Sequence, residues 1–228
     1  MMGIGNNILM KSTTIIPIVI ESYTTNIDIG YPYEMVLTKP TGVVTGNLLM
    51  ILICHDSTGI EAYREADTPA GWTWLTSNGD SAADAGYFIM YRISDGTEAA
   101  TTTVVPTNSF MSVGFYLRIS GANTSSPIVG IGTRCSTGSA SSLTVTGLIG
   151  NSTDLGITVL SGDGGDLYPY SVSTNSWTKV VENQGNTTSS SPSGVIAQKT
   201  YSTVDAASVL ITPSATDGMN GIQVRIKK

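Results

Sequence analysis

Two stretches of this sequence carry the same landmarks in the same order, which restricts the chain to a fold with two related halves. A polar residue opens a long apolar run twice: Asn47 before Leu48-Leu49-Met50-Ile51-Leu52-Ile53-Cys54, and Asp154 before Leu155-Gly156-Ile157-Thr158-Val159-Leu160. Gly71-Trp72-Thr73 is matched by Ser176-Trp177-Thr178, and Gly86-Tyr87-Phe88-Ile89-Met90-Tyr91 by Gly194-Val195-Ile196-Ala197-Gln198-Lys199. Residues 101–106 match Ser208-Val209-Leu210-Ile211-Thr212-Pro213, and Phe115-Tyr116-Leu117-Arg118-Ile119 matches Ile222-Gln223-Val224-Arg225-Ile226. The polar opener lies about 25 residues before the Trp in one half and about 23 in the other; Trp to the closing Arg-Ile is about 46 and about 48. Five landmarks in one order, at near-equal gaps, mark an internal duplication, with halves at about 43–122 and 151–228.

Each half reads as short strands. The run after Asn47 is apolar on both faces, and Asn78-Gly79-Asp80 and Asp95-Gly96 are turn signals. Residues 13–22 and 33–38 read as further strands, residues 55–69 as a polar loop with one helical turn near residues 61–64, and residues 1–12 as an N-terminal arm. With too few strands to cover its own apolar face, one half must pack on the other. The expectation is an all-β, jelly-roll-like antiparallel sandwich of ten or more short strands, a single domain over residues 13–228.

Composition agrees. Charged residues are only 12% of the chain, about half the usual share, and Gly, Ser and Thr fill the gap. That mix suits turns and pleated surfaces and not long amphipathic helices. A net charge of −6 argues against nucleic acid, whose phosphates need a basic footprint. No apolar segment approaches the ~20 residues that span a bilayer; the N-terminal patch Ile15-Ile16-Pro17-Ile18-Val19-Ile20 is short and broken by proline, and Lys11 alone is a poor signal-peptide n-region. No membrane partner is expected. Cys54 and Cys135 lack metal-site spacing; Cys54 reads as a small buried hydrophobe, and a bond between the two is left open.

Candidate chemistry is sparse. His55-Asp56 has the residue types of a triad's base and orienter, yet no G-x-S-x-G elbow accompanies it, and the plainer reading is a polar strand end. Ser161-Gly162-Asp163-Gly164-Gly165-Asp166 is the metal candidate: Asp163 and Asp166 could give oxygens to Ca²⁺. The EF-hand spacing is absent, and the matching loop from His55 onward shows no such cluster, so a solvated turn is the competing reading. Glu61, Glu65 and Asp67 crowd one loop without a partner across a definable cleft. Tyr168-Pro169-Tyr170 reads as an exposed aromatic cluster, making Tyr168 and Tyr170 the ligand-contact candidates, whereas Trp72, Trp74 and Trp177 read as core. No phosphate loop, zinc spacing or dinucleotide fingerprint is present, so no cofactor and no catalysis are expected.

The segments Lys39-Pro40-Thr41-Gly42-Val43-Val44-Thr45-Gly46-Asn47-Leu48-Leu49, Thr68-Pro69-Ala70-Gly71-Trp72-Thr73 and Leu117-Arg118-Ile119-Ser120-Gly121-Ala122 with Ser126-Pro127-Ile128 resemble β-sandwich modules of bacteriophage virion proteins. Such modules include tail-fibre segments, head fibres and capsid decoration (cement) proteins, and Asn47 stands where their pattern more often has Asp. The resemblance covers most of the chain from about Lys39 and carries no catalytic residue. It implies a virion structural protein, assembled in the host cytoplasm, that contacts the major capsid protein or other virion proteins as a homo-oligomer, commonly a trimer. Decoration of the capsid is the first expectation and a tail- or head-fibre module the second. A carbohydrate-binding module reaching host-surface glycans through Tyr168 and Tyr170 is the alternative from another class, and a hydrolase the distant third.

Overall fold

A computed structural model of the chain describes residues 16–28, 30, 33–56, 59, 61–163, 169–185 and 191–228. The proposed arm, residues 1–12, lies outside them. The strands of the first half are β1 (Val19–Asp28), β2 (Met35–Thr38), β3 (Leu48–Asp56), β4 (Thr73–Asp80), β5 (Ala85–Ile93), β6 (Thr101–Val104) and β7 (Ser112–Ser120). Those after them are β8 (Ile128–Ile131), β9 (Cys135–Ala140), β10 (Leu143–Val145), β11 (Ile149–Gly150), β12 (Leu155–Gly162), β13 (Tyr170–Ser173), β14 (Thr178–Gln184), β15 (Ser193–Thr200), β16 (Asp205–Ala206), β17 (Val209–Pro213) and β18 (Asp217–Ile226). A single 3-10 turn, Glu65–Asp67, is the only helical element described. The protein is an all-β sandwich of antiparallel sheets.

The two large sheets have the same order. One runs β1-β7-β3-β5-β4 and the other β8-β18-β12-β15-β14. Their registers repeat too. In the first sheet Leu48 pairs with Ile93 and Ile119; in the second Leu155 pairs with Thr200 and Ile226, each residue 107 further along. Even the bulge recurs, between Trp74 and Thr76 in β4 and between Lys179 and Val181 in β14. Trp72 and Trp177 occupy the same place: each stands just before its edge strand, with its N–H bonded to the carbonyl three residues back, Pro69 or Thr174.

The 107-residue shift corrects one of the sequence matches. Gly86 corresponds to Ser193 and Tyr87 to Gly194, because His55 pairs with Gly86 where Gly162 pairs with Ser193. Matching Gly86 to Gly194 is off by one. In a pleated strand that slip would exchange the two faces of β15. A second correction concerns Asn78-Gly79-Asp80, which is strand and not turn: Asn78 pairs with Tyr87 and Gly79 with Gly86. The chain reverses later, at 81–84, where the Asp80 carboxylate accepts from the Ala82 and Ala83 amides.

The large sheets pack back to back, β15 lying against β7 and β3 as β5 lies against β18 and β12, an approximate two-fold arrangement. Between them sits the central core: Leu48, Met50, Leu52, Tyr87, Phe115 and Leu117 from one half, Leu155, Ile157, Val159, Ile196, Ile222 and Val224 from the other. Each half also shields its own outer face, which the strand count had not anticipated. β2 and β6 cover Leu49, Ile51, Phe88 and Met90; β10, β17 and β13 cover Leu160, Val195 and Ala197. The reason is in β3 itself. A strand apolar on alternate and intervening positions needs cover on both sides, so the molecule has four layers rather than two.

Glycine decides one contact across the middle. Gly194 holds the position that Tyr87 holds in the other half, and a Cβ there would come within 2.8 Å of both the Cys54 sulfur and the Phe115 ring. Phe115 fills the space that a side chain at 194 would need. Gly194→Val should therefore destabilise the protein by about 1–3 kcal/mol through overpacking, measured as a lower urea midpoint at unchanged slope.

The residues of the resemblance have structural jobs. Asn47 accepts the Val44 amide through its Oδ1 at 3.1 Å, and its counterpart Asp154 accepts the Asn151 amide at 2.9 Å. Either side chain closes the turn that starts the long strand. Arg118 donates to the Gly42 carbonyl and Arg225 to that of Ile149, tying the last strand of each half to the loop ahead of its long strand.

Candidate functional site

At one end of the sandwich the duplicated strands bring acids together. Asp56 ends β3 and Asp163 directly follows β12; they are counterparts under the 107-residue shift, and their amides bond to counterpart carbonyls, Met111 at 3.1 Å and Gly218 at 2.9 Å. Alternation along β3 puts Leu52, Cys54 and Asp56 on the inner face, and along β12 puts Val159, Ser161 and Asp163 there. The two aspartates thus meet where the inter-sheet space opens, with Cys54 and Ser161 as the layer beneath. Asp84 joins them from the β4–β5 turn, its backbone in the left-handed region at φ 49°, a conformation Asp tolerates better than most residues. One ligand oxygen from each of Asp56, Asp84 and Asp163 lies within 4.8 Å of the other two.

The electrostatics follow from that crowding. Burial first, then the charges of Asp84, Asp56 and Asp217, push the Asp163 carboxyl up to about 7. Among the described residues no cation pairs with Asp84 or Asp163; nearby Arg134 is engaged by Asp80 at 3.2 Å. Beneath the acids, the Ser161 hydroxyl is fully buried against the Cys54 thiol, toward which it donates. Asn220, opposite Ser161 on β18, is also fully buried. Its Nδ2 donates to the Asn78 side chain at 2.9 Å and to the Ala85 carbonyl at 3.1 Å, while its Oδ1 has no partner.

The other expected site residues fall elsewhere. Asp166 and Tyr168 lie outside the described residues. Tyr170 does not belong to an exposed cluster: it is 2% exposed, sits in the outer core of the second half, and donates to Asp217 at 3.2 Å with its oxygen against the Ser193 hydroxyl. Tyr63, in the outer core of the first half, is likewise buried and donates to Ser112 at 3.0 Å. A tyrosine after two glycines and an aspartate looks exposed on paper, but β13 lays it against the outer core of the second half.

His55 is wholly buried on the outer face of β3, beside Tyr63, with Nδ1 2.8 Å from the Asp56 backbone carbonyl. Its ring and the Asp56 carboxylate point to opposite faces of the strand, so they do not form a base–orienter pair. Of the loop acids, Asp67 accepts from the Arg64 and Thr107 amides and the Thr107 hydroxyl, pinning the loop down. Trp177 is buried and donates to the Ala207 carbonyl at 3.2 Å, and Trp72 and Trp74 pack on the outer core of the first half. Cys54 and Cys135 are both free, and burial pushes the Cys54 thiol up to about 12.

Sequence reasoning found Asp163 but not its partners. The signal for Asp56 was present: both aspartates stand two residues after the inner-facing Cys54 or Ser161. Asp84 had no signal, because only closure of the β4–β5 turn brings it to the mouth. Comparison of the chain with known protein families, with curated proteins and with solved structures finds no match. Among the described residues no helix is long and apolar enough to cross a membrane.

Proposed function

We propose that this protein is a non-enzymatic structural module of a bacteriophage virion, and in the first instance a capsid decoration protein that works by being held against the shell. The observation that carries this reading is where its exposed apolar side chains lie. Of ten large apolar residues exposed among those described, six fall between Ile16 and Val44, on or beside β1 and β2: Ile16, Val19, Tyr23, Ile27, Val36 and Val44. That concentration along β1 and β2 suits a docking face, the other four, Val105, Ile131, Ile149 and Val204, lying elsewhere in the chain. That side is also rigid. Ser22, Thr24 and Asn26 of β1 donate to the carbonyls of Thr41, Thr38 and Val36, lashing the edge strand to the small outer sheet.

A tail- or head-fibre module would use the same surface on another part of the virion. The glycan-binding reading loses Tyr170, which is buried in packing, while Tyr168 lies outside the described residues. Co-sedimentation with empty capsids of the encoding phage tests the first reading. The wild type should pellet with shells, and Tyr23→Glu with Val44→Glu should keep its melting temperature and stay in the supernatant. Pelleting of that variant as fully as wild type, saturable binding on a glycan array, or release of reducing ends from polysaccharide would each overturn the proposal.

A further inference from the structure

We propose, resting on the docking reading above, that the free edge of β1 is the point of attachment: an extended segment of a shell protein adds there as one further strand. β1 ends the first large sheet, and among the described residues it pairs with β7 alone. Which of its backbone groups are spare follows from β3. The Asp56 amide donates to the Met111 carbonyl, so odd-numbered residues of β7 turn their N–H and C=O groups toward β3 and even-numbered ones toward β1. Ser22, Thr24 and Asn26, opposite Arg118, Tyr116 and Gly114, take up the groups facing β1. Tyr23, Thr25 and Ile27 therefore turn their own N–H and C=O groups outward, in a row that an added strand would satisfy.

The edge lacks the usual defences against such pairing. Ser22-Tyr23-Thr24-Thr25-Asn26-Ile27 holds no charge, proline or glycine, and the bulge of β1 falls before it, between Ile20 and Ser22. The equivalent edge in the second half is blocked. There the same register is split between β8, which stops at Ile131, and β9, and Arg134 between them reaches Asp80 and Asn78 of β4, each at 3.2 Å. From β14 to β1 the crossing is lighter, the Asn183 side chain donating to the Asn26 carbonyl at 3.2 Å. Side chains and charge then describe the partner. Tyr23 and Ile27, opposite Leu117 and Val113, are 45% and 38% exposed, and call for apolar residues at alternate positions of the incoming strand. Glu21 flanks one end of the edge, and Asp28 and the exposed Glu34 flank the other. Arg118, the cation at Glu21, is engaged by that carboxylate at 3.6 Å and by the Gly42 carbonyl. The complement is an alternating apolar segment bounded by Lys or Arg.

The test follows the full chain, free and on empty capsids of the encoding phage, by hydrogen–deuterium exchange. The amides of Tyr23, Thr25 and Ile27 should exchange freely in the free protein and slow by about 100-fold or more on the shell, while those of β4 keep their rate. Thr25→Pro removes an edge N–H that the fold leaves unused, a place where a strand tolerates proline. It should keep its melting temperature and bind capsids roughly tenfold or more weakly, whereas Thr25→Ala should pellet like wild type. Wild type that pellets with the three amides still exchanging freely overturns the strand addition and leaves the docking face standing. Folded Thr25→Pro that pellets as fully as wild type does the same. Amides already slowed in a dimeric free protein would give the edge to a second copy and overturn it too. Wild type that stays in the supernatant overturns both readings.

Discussion

Replacing Phe115 by alanine should cost about 3–5 kcal/mol of stability and lower the urea midpoint of the whole chain in a single transition. Phe115 is fully buried in the central core and stands on β7, paired with Leu52 of β3 and Thr25 of β1. Its ring reaches across to β15, where Gly194 leaves the space it occupies. Truncation removes apolar contacts from both sheets at once and leaves a cavity that backbone on either side is too well paired to close. Because the cavity lies between the halves, neither half should survive the other; two resolved transitions would contradict a shared core. The same geometry predicts coupling. Gly194→Val should be far less harmful in the Phe115→Ala background than alone, since the added methyls enter the vacated volume. A double-mutant cycle that proves additive would show that the two positions do not meet.

The second large effect is pH-dependent and belongs to His55. Burial pulls its imidazole down to about 4 from the usual 6.5, only partly offset by the Asp56 carbonyl beside Nδ1. Below pH 6.5 the unfolded chain takes up a proton that the folded chain refuses until about pH 4, so this residue's effect lowers stability as pH falls across that window. The expected size is about 3 kcal/mol. Asp163 acts in the opposite sense: its raised carboxyl holds a proton when folded, so its effect lowers stability as pH rises from 3.8 toward 7. The His55 contribution is therefore read as a difference. In chelator, the stability of wild type relative to His55→Gln should fall by about 3 kcal/mol between pH 7 and pH 4. A difference that stays constant with pH would mean that the imidazole titrates normally and is not sealed in the outer core.

Much of the fold was legible because repetition is visible without coordinates. The Asn47 and Asp154 openers, the two tryptophans and the two Arg-Ile closers were each enough to suggest equivalent strands, and the two large sheets place them at equivalent strands. Where the reading slipped, the reason is physical. In β15 the glycine at 194 drew the match to Gly86, yet glycine at 194 serves Phe115 and not a turn or a crowded neighbour like His55. Asn78-Gly79 has the composition of a tight turn, but its cross-strand partners on β5 keep it extended. Residues 33–38, 101–106 and 208–213 were read as strands, but β2, β6 and β17 are only four to five residues long, and nothing in so short a strand's own pattern says which sheet it joins.

The candidate site divides the same way. Asp163 was singled out for its glycine-rich surroundings, and its expected partner Asp166 lies outside the described residues; among those described, the acids that converge on Asp163 come from β3 and from the β4–β5 turn. Local composition can nominate one ligand. It cannot nominate a set whose members meet only after two sheets have packed.

By itself, then, the sequence determined that the chain is β throughout, that it is double, and that its long strands have no face fit for water, since these follow from residue type and period along one strand at a time. Only the tertiary structure decided which residues face each other across the middle, that Tyr170 is core, and that three aspartates share one mouth. Those outcomes depend on how two sheets are set against each other, and that is a relation between segments about a hundred residues apart, settled by packing and not by any local preference.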